Sequence, residues 1–290
     1  MKVGDEERRS FEVQRDGMTL RADEEGSGRA VVLCHGLSAT RDQVVHNSRA
    51  IPRSGRRLIL WDARGHGESD PAPPGGGYGY GSQVEDLGSV IDAIGETDRI
   101  VVGGHSMGCH TAAAWALANP DRIDALILIG PVFIGREGQA DGDRWDARAD
   151  ALERGGPEEF AKLVEAEFTG GDEGRELVGR LALQRARRHR RPEAVAEALR
   201  QVPRSEPFEG LESLGAIEAP TLVVGSRDEI DSGHPIAVAE AWAEVIPNAE
   251  FVVEPPGDSP LAWQGGRLSR AINEFLDRRA TPMEQSHAAD

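Results

Sequence analysis

Short apolar runs alternate with longer amphipathic segments along most of the chain. Each apolar run has the length and flanking turn residues of a strand that is buried on both faces. Strands of this kind, separated by segments of helical period, predict a parallel sheet with helices on both sides. In chain order the patterns predict a hairpin at 11–13 and 19–21, strands at 30–34, 57–61, 100–103 and 125–129, and helices at 41–54, 82–94 and 105–118.

This alternation stops after residue 131 and resumes after residue 215. The stretch 132–215 has only charged, Ala- and Arg-rich helical patterns, and it is followed by predicted strands at 220–225 and 250–253 and helices at 235–246 and 268–279. We therefore predict one α/β domain in two parts, residues 11–131 and 216–279, with a helical cap inserted at 132–215. The polar ends, residues 1–10 and 280–290, are predicted to be disordered.

The charge, the apolar content and the cysteines of the chain limit the kinds of ligand and environment that we expect. The chain has 290 residues and a formal net charge of −17, which disfavours a nucleic-acid ligand because such binding needs clustered cations. It has no apolar run long enough to span a membrane and no N-terminal signal pattern, and its two cysteines, Cys34 and Cys109, form no disulfide framework. We expect a cytoplasmic protein that binds a small molecule and uses neither a metal nor another cofactor.

Residues 104–108 carry the strongest chemical signal. They have the sequence Gly-His-Ser-Met-Gly and join a predicted strand to a predicted helix, which is the context of a nucleophile elbow. The glycines allow a turn too sharp for a Cβ, and that turn lifts the Ser106 hydroxyl above the sheet. The helix N-terminus and the Met107 N–H would stabilise a developing oxyanion. Ser106 is therefore the candidate nucleophile.

A second oxyanion-hole donor is expected from the loop that follows the strand at 30–34. The Leu37 N–H is the candidate, because His35-Gly36-Leu37 comes directly after that strand. His35 is predicted to be a buried hydrogen-bonding residue.

Other polar residues near these motifs are expected to have structural roles. The segment Asp62–Ser69, which contains His66, is predicted to cross-link the loops around the site. We expect His105 to point away from the pocket and His110 to pack beneath the serine.

Three features together carry a resemblance: His35-Gly36, the motif at 62–69 and the elbow at 104–108. The chain resembles α/β-hydrolase-fold proteins with a helical cap, a group that holds esterases, lipases, C–C hydrolases and cofactor-free haloperoxidases. The resemblance covers about residues 11–131 and 216–279. It implies an eight-stranded, mostly parallel sheet and a catalytic triad in the chain order Ser, acid, His.

The resemblance also implies where the other triad members should be. The acid should follow the strand at 220–225, and Asp228 fits this position, with Asp231 as a less well placed alternative. The histidine should follow the last strand, but Asp258 occupies that position. The next histidine is His287, deep in the polar tail. A serine hydroxyl is a poor nucleophile near pH 7 without an adjacent base, so this departure is the central problem of the sequence.

Three solutions stay open at this point. His234, six residues beyond Asp228, could swing in from the acid loop and serve as the base, oriented by Asp228, Asp231 or Asp258. Alternatively, Asp258 itself could be the base if a dry pocket and a neighbouring carboxylate raise its pKa. Finally, the protein could have lost turnover and kept the pocket for binding a small ligand.

Our leading hypothesis is hydrolysis of a small, fairly apolar carboxylic ester or a related acyl compound. Ser106 would be the nucleophile, the N–H groups of Leu37 and Met107 the oxyanion hole, Asp228 the acid and His234 the base. Acyl transfer or C–C cleavage in the same pocket is a weaker alternative, and a binding protein without turnover is the rival from another class.

Overall fold

A computed structural model describes residues 7–135, 142–169, 171–227, 233–255 and 265–279. Its strands are β1 (Arg9–Arg15), β2 (Met18–Glu25), β3 (Arg29–Cys34), β4 (Arg56–Trp61), β5 (Ile100–His105), β6 (Ile123–Ile129), β7 (Thr221–Val224) and β8 (Ala249–Val252). They form one eight-stranded sheet in the order β1-β2-β4-β3-β5-β6-β7-β8. β1 and β2 pair antiparallel, β2 pairs antiparallel with β4, and the remaining neighbours are parallel. The predicted α/β-hydrolase sheet is confirmed.

Helices cover both faces of this sheet. They are α1 (Ala50–Arg53), α2 (Tyr80–Ala93), α3 (Met107–Ala118), α4 (Gly142–Glu167), α5 (Asp172–Ala186), α6 (Pro192–Gln201), α7 (Ile236–Val245) and α8 (Gly266–Arg279). One apolar cluster packs α2, α3 and α7 against the sheet, and a second packs α1 and α8 against the opposite face. Successive residues of β3 contribute to the two clusters in turn, which explains why its sequence is a continuous apolar run.

The helix predicted at 41–54 is mostly absent. The structure has a short 3-10 turn at Arg41–Gln43 and then only the four residues of α1. His46 and Asn47 adopt left-handed backbone conformations, with φ of 47° and 58°, which an α-helix of L-residues does not accommodate. The β-branched Val44 and Val45 before them have low helix propensity. The apolar residues of this segment do recur with helical period, but the backbone conformation at His46 and Asn47 interrupts the helix.

The stretch between β6 and β7 carries α4, α5 and α6, and the described part of it holds no strand. These helices share a separate apolar cluster, which includes Leu152, Phe160 and Leu199. α4 bends at Gly156, whose φ is 67°, directly before Pro157. The side chain of Leu37 packs against both this cluster and the sheet cluster. The helical insertion therefore lies over the loop that follows β3.

The chain ends differ in part from expectation. Arg9 and Ser10 belong to β1, so the ordered chain begins earlier than the predicted boundary at residue 11. The Arg8 guanidinium also pairs with Asp23 and Asp42. Residues 1–6 and the tail 280–290 lie outside the described residues.

Candidate active site

Ser106 lies in the sharp turn between β5 and α3. Its backbone has φ 53° and ψ −118°, and its N–H donates to the Ile129 carbonyl at 2.9 Å. A non-glycine residue with such angles is strained by about 1–3 kcal/mol, and strain of this kind clusters at functional sites. A Cβ at Gly104 would lie 2.6 Å from the Cys34 carbonyl oxygen, and one at Gly108 would overlap the same carbonyl group. The two glycines therefore permit the close approach that the elbow needs.

The loop after β3 passes beside the nucleophile. A Cβ built at Gly36 would lie 3.3 Å from the Ser106 Cβ, so the next residue, Leu37, is adjacent to the serine. Met107 is the first residue of α3, where a helix N-terminus presents unpaired N–H groups. The described residues include no hydrogen-bond acceptor for the N–H of Leu37 or Met107. Met107 follows Ser106 and Leu37 follows Gly36, so the two predicted oxyanion-hole donors belong to the two segments that meet at the serine.

His234 lies at the same edge of the sheet. Its ring contacts that of His105, with centroids 4.8 Å apart and planes tilted by 52°. A Cβ at Gly130, the residue after β6, would be 3.3 Å from His234 Cδ2 and 3.4 Å from His105 Nε2. His105 directly precedes Ser106, so the structure brings the predicted base next to the nucleophile elbow. Asp228, Asp231 and Asp258 lie outside the described residues.

The His105 side chain lies beside His234. Its ring is partly exposed and contacts the His234 ring. The cause is the direction of β5: its last residues lie between the ends of β3 and β6, where Gly36 and Gly130 leave room for a ring.

α7 fixes the backbone that follows His234. The helix begins at Ile236, and its fully buried Trp242 donates from Nε1 to the Phe133 carbonyl at 2.7 Å. This bond ties α7 to the chain that leaves β6 for the helical insertion. His234 therefore lies just before a helix, α7, that the buried Trp242 holds in the core.

His110 packs one helical turn beyond Ser106, as expected. Its Nε2 accepts hydrogen bonds from the N–H groups of Val132 at 3.0 Å and Phe133 at 3.3 Å. Its Nδ1 therefore carries the proton, which it donates to the Tyr80 hydroxyl at 2.8 Å. Burial, and to a lesser extent the nearby His234, lower the pKa of His110 to about 3. His110 is thus a neutral structural residue.

Three further histidines form a buried histidine cluster: His35, His66 and His189. The ring centroids of His35 and His66 are 5.1 Å apart, and those of His66 and His189 are 5.5 Å apart. His189 comes from the turn between α5 and α6, so this cluster joins the insertion to the sheet domain. Burial lowers the pKa of His35 and of His189 to about 4 and lowers that of His66 well below its usual value.

Both ring nitrogens of each residue in this cluster bind backbone groups. One nitrogen accepts from an N–H: His35 from Ala63 at 2.9 Å, His66 from Ser38 at 3.4 Å and His189 from Gly67 at 2.9 Å. The other nitrogen donates to the carbonyl of Gly36, Arg64 or Ser38, respectively. The expected structural roles of His35 and His66 agree with these contacts.

Asp62 organises the loop after β4. Its carboxylate accepts from the N–H groups of Arg41 at 2.8 Å and Glu68 at 3.0 Å, and it pairs with the Arg41 guanidinium. The same guanidinium binds Asp23 at 2.6 Å. The loops after β3 and β4 are thereby cross-linked, as the sequence pattern predicts.

Two site-forming residues were missed by the sequence analysis. His189, which lies in an arginine-rich stretch of the insertion, is the first. The buried Glu254, two residues beyond β8, accepts from the Ser226 hydroxyl at 2.8 Å and the Arg227 N–H at 2.6 Å. It thus holds the start of the loop that leads to Asp228. A carboxylate shortly after the last strand was the available signal.

Comparison with known proteins identifies the family. The chain matches the α/β-hydrolase fold family over residues 29–265 and therefore belongs to it. It is 28% identical to the non-heme chloroperoxidase CPO-A1 of Kitasatospora aureofaciens, in an alignment of 91% of this chain and 98% of that protein. The structure of a malate-bound thermophilic esterase from Thermogutta terrifontis is similar with a TM-score of 0.73, 28% identity and coverage of 94% and 100%.

Other relatives match a smaller region. An epoxide hydrolase of Caballeronia sordidicola is 30% identical over 128 residues, which are 44% of this chain and 39% of that protein. Alignments with two further relatives span 41% and 32% of their lengths. The names of these relatives cover several chemistries, so the family alone does not specify the reaction.

No described helix is both long enough and apolar enough to cross a bilayer. Within the same residues, no group of three or more His, Cys, Asp or Glu side chains has the arrangement of a metal site.

Proposed function

We propose that the protein is a serine hydrolase that acts on a small, fairly apolar carboxylic ester or a related acyl compound. The observation that carries this proposal is the strained turn at Ser106, whose preceding residue His105 contacts the ring of His234. The esterase similarity supports it, and the place of the base differs from the loop after β8, where the family resemblance puts the histidine.

In this mechanism His234 takes the proton from Ser106 Oγ as that oxygen attacks the acyl carbon. The carbonyl oxygen gains the negative charge and accepts hydrogen bonds from the N–H groups of Leu37 and Met107. The imidazolium then gives its proton to the departing alcohol. Water, deprotonated by the same imidazole, cleaves the acyl-enzyme and restores Ser106.

The remaining predicted site residues have supporting roles. Asp228 would orient the imidazole and stabilise its charged form, as triad carboxylates do. Asp258 would stand near the site at the position where a histidine is expected. The helical insertion would act as a cap, since its apolar cluster packs on Leu37, and it would exclude water and select the substrate.

Hydrolysis of p-nitrophenyl esters of increasing acyl length tests the proposal. We expect turnover of short and medium acyl chains, and a loss of at least about a thousandfold in kcat/KM in Ser106→Ala. Ser89→Ala, a change on α2, is the matched control and should leave the rate unchanged. An unchanged rate in Ser106→Ala would reject the proposal. Ester-induced thermal stabilisation without product would instead favour the binding-protein alternative.

A further inference from the structure

The ring of His105 fills a gap between two backbones. A Cβ built at Gly36 would lie 3.0 Å from His105 Nδ1, and a Cβ built at Gly130 would lie 3.4 Å from His105 Nε2. Both neighbouring positions are glycine, so the imidazole fits between the loop after β3 and the turn after β6. The residue adjacent to the nucleophile is therefore held by main chain on two sides.

His234 packs in the corner between this ring and Gly130. The Cδ2 and Cγ atoms of His234 lie 3.3 and 3.4 Å from the position of a Gly130 Cβ, and its ring centroid is 4.8 Å from that of His105. Gly130 is itself fixed, because its N–H donates to the Val224 carbonyl at 2.9 Å. A tilted ring contact on one side and backbone on the other restrict the position of the His234 imidazole.

We propose that His105 is a positioning residue, which holds the His234 imidazole at the nucleophile elbow. This inference rests on the proposed function, in which His234 is the base. A base must lie within hydrogen-bond reach of the proton that it takes, so a neighbour that fixes its ring speeds the proton transfer from Ser106.

The other groups around His234 do not replace this role. In the described chain, His105 approaches from the end of β5 and His110 from α3, while β6 contributes only Gly130. His110 is locked in its neutral form by Val132, Phe133 and Tyr80, so it adds ring surface but no mobile charge. Asp228 and Asp231 precede His234 in the chain, within the segment that the structure does not describe.

Two substitutions separate the ring of His105 from its nitrogen atoms. His105→Ala removes both, and we expect labelling of Ser106 by a fluorophosphonate to slow about tenfold, as a misplaced group would cause. His105→Phe keeps a ring and removes the nitrogen atoms. In that variant we expect labelling within about threefold of wild type, because the ring contact that positions His234 is retained. Circular dichroism establishes that both variants are folded.

The NMR signals of the His234 ring provide a readout that needs no reaction. In the Ser106→Ala background we expect one sharp set of ring signals, and broadened or doubled signals when His105→Ala is added, because the ring then samples several positions. Unchanged ring signals after that addition, or labelling of His105→Ala as fast as wild type, would overturn the inference while leaving the proposed function intact. Absence of labelling in wild type would overturn the proposed function, and the positioning role with it.

Discussion

The buried histidine cluster and the His105–His234 pair show two uses of the same side chain within one fold. In the cluster, each ring gives one nitrogen to a backbone N–H and the other to a carbonyl, and burial keeps all three rings neutral. In the pair, both rings are partly exposed and lie at the elbow. Proximity to the active site therefore does not single out a base, and it is accessibility that distinguishes the pair from the buried cluster.

Acid should affect the cluster most strongly. The folded-state pKa of His35 and of His189 is about 4, whereas an unfolded histidine titrates near its usual value of about 6.5. The unfolded chain thus binds protons first as the pH falls, and stability is full above pH 6.5 and lost progressively towards pH 4. Each such histidine contributes up to about 1.4 kcal/mol per pH unit.

Urea unfolding at a series of pH values measures this loss. The variant His189→Gln, which removes one titrating ring and keeps an acceptor, should show a shallower decline in the free energy of unfolding. A decline of equal steepness in that variant would contradict the proposed role of the cluster in acid sensitivity.

Removal of His234 should have the next largest effect, but on rate rather than stability. His234→Ala leaves Ser106 without its base, so we expect kcat/KM for ester hydrolysis to fall about a thousandfold, or about 4 kcal/mol of transition-state stabilisation. Because His234 is partly exposed, the free energy of unfolding should change by less than about 1 kcal/mol.

His287→Ala in the polar tail is the matched control for that experiment. It removes the other histidine that follows the acid loop, and the account predicts no change in rate. Loss of activity in His287→Ala with a normal rate in His234→Ala would assign the base to the tail instead.

Removal of His189 should affect stability, in contrast to the effect on rate expected at His234. His189→Ala leaves the Gly67 N–H and the Ser38 carbonyl without their partner, so we expect the protein to lose about 2–3 kcal/mol of stability. Arg188→Ala, which removes only an exposed ion pair with Asp42, should cost less than about 1 kcal/mol. Urea denaturation of both variants beside the wild type measures the two losses in the free energy of unfolding. Equal losses would show that the buried histidine cluster does not hold the insertion against the sheet domain.

Gly130→Ala should produce the smallest effect. Its Cβ would lie 3.3–3.4 Å from both rings of the pair, and its φ of 56° is unfavourable for alanine. We expect a fall of about tenfold in kcat/KM, since a small displacement of a catalytic group has effects of this order. Gly75→Ala, at φ 81° with no neighbour within 4 Å, shares the backbone strain without the contact and should not change the rate.

Much of the fold followed from local patterns. The buried strands and most helices could be predicted because continuous apolar runs and helical periods correspond to a parallel sheet between two helical layers. The helix at 41–54 could not, since His46 and Asn47 adopt left-handed conformations that interrupt it although the apolar period continues.

The candidate site was only partly predictable, for the same reason. The glycines around Ser106 encode its turn locally, so the nucleophile and the neighbouring N–H groups of Leu37 and Met107 could be named from sequence. The contact between His105 and His234 joins residues 129 positions apart, and it depends on Gly130 at a third point of the sheet. Contacts between residues so far apart in the chain depend on the order of the strands in the sheet, which a local sequence pattern does not specify.

Intact-mass spectrometry after incubation with a fluorophosphonate tests the central claim most directly. The account predicts a single adduct on wild type, no adduct on Ser106→Ala and a greatly slowed adduct on His234→Ala. A folded wild-type protein that stays unlabelled, but gains the adduct in Asp258→His, would contradict it. That result would show that the site lacks a working base and that the chain has kept a hydrolase pocket without hydrolase chemistry.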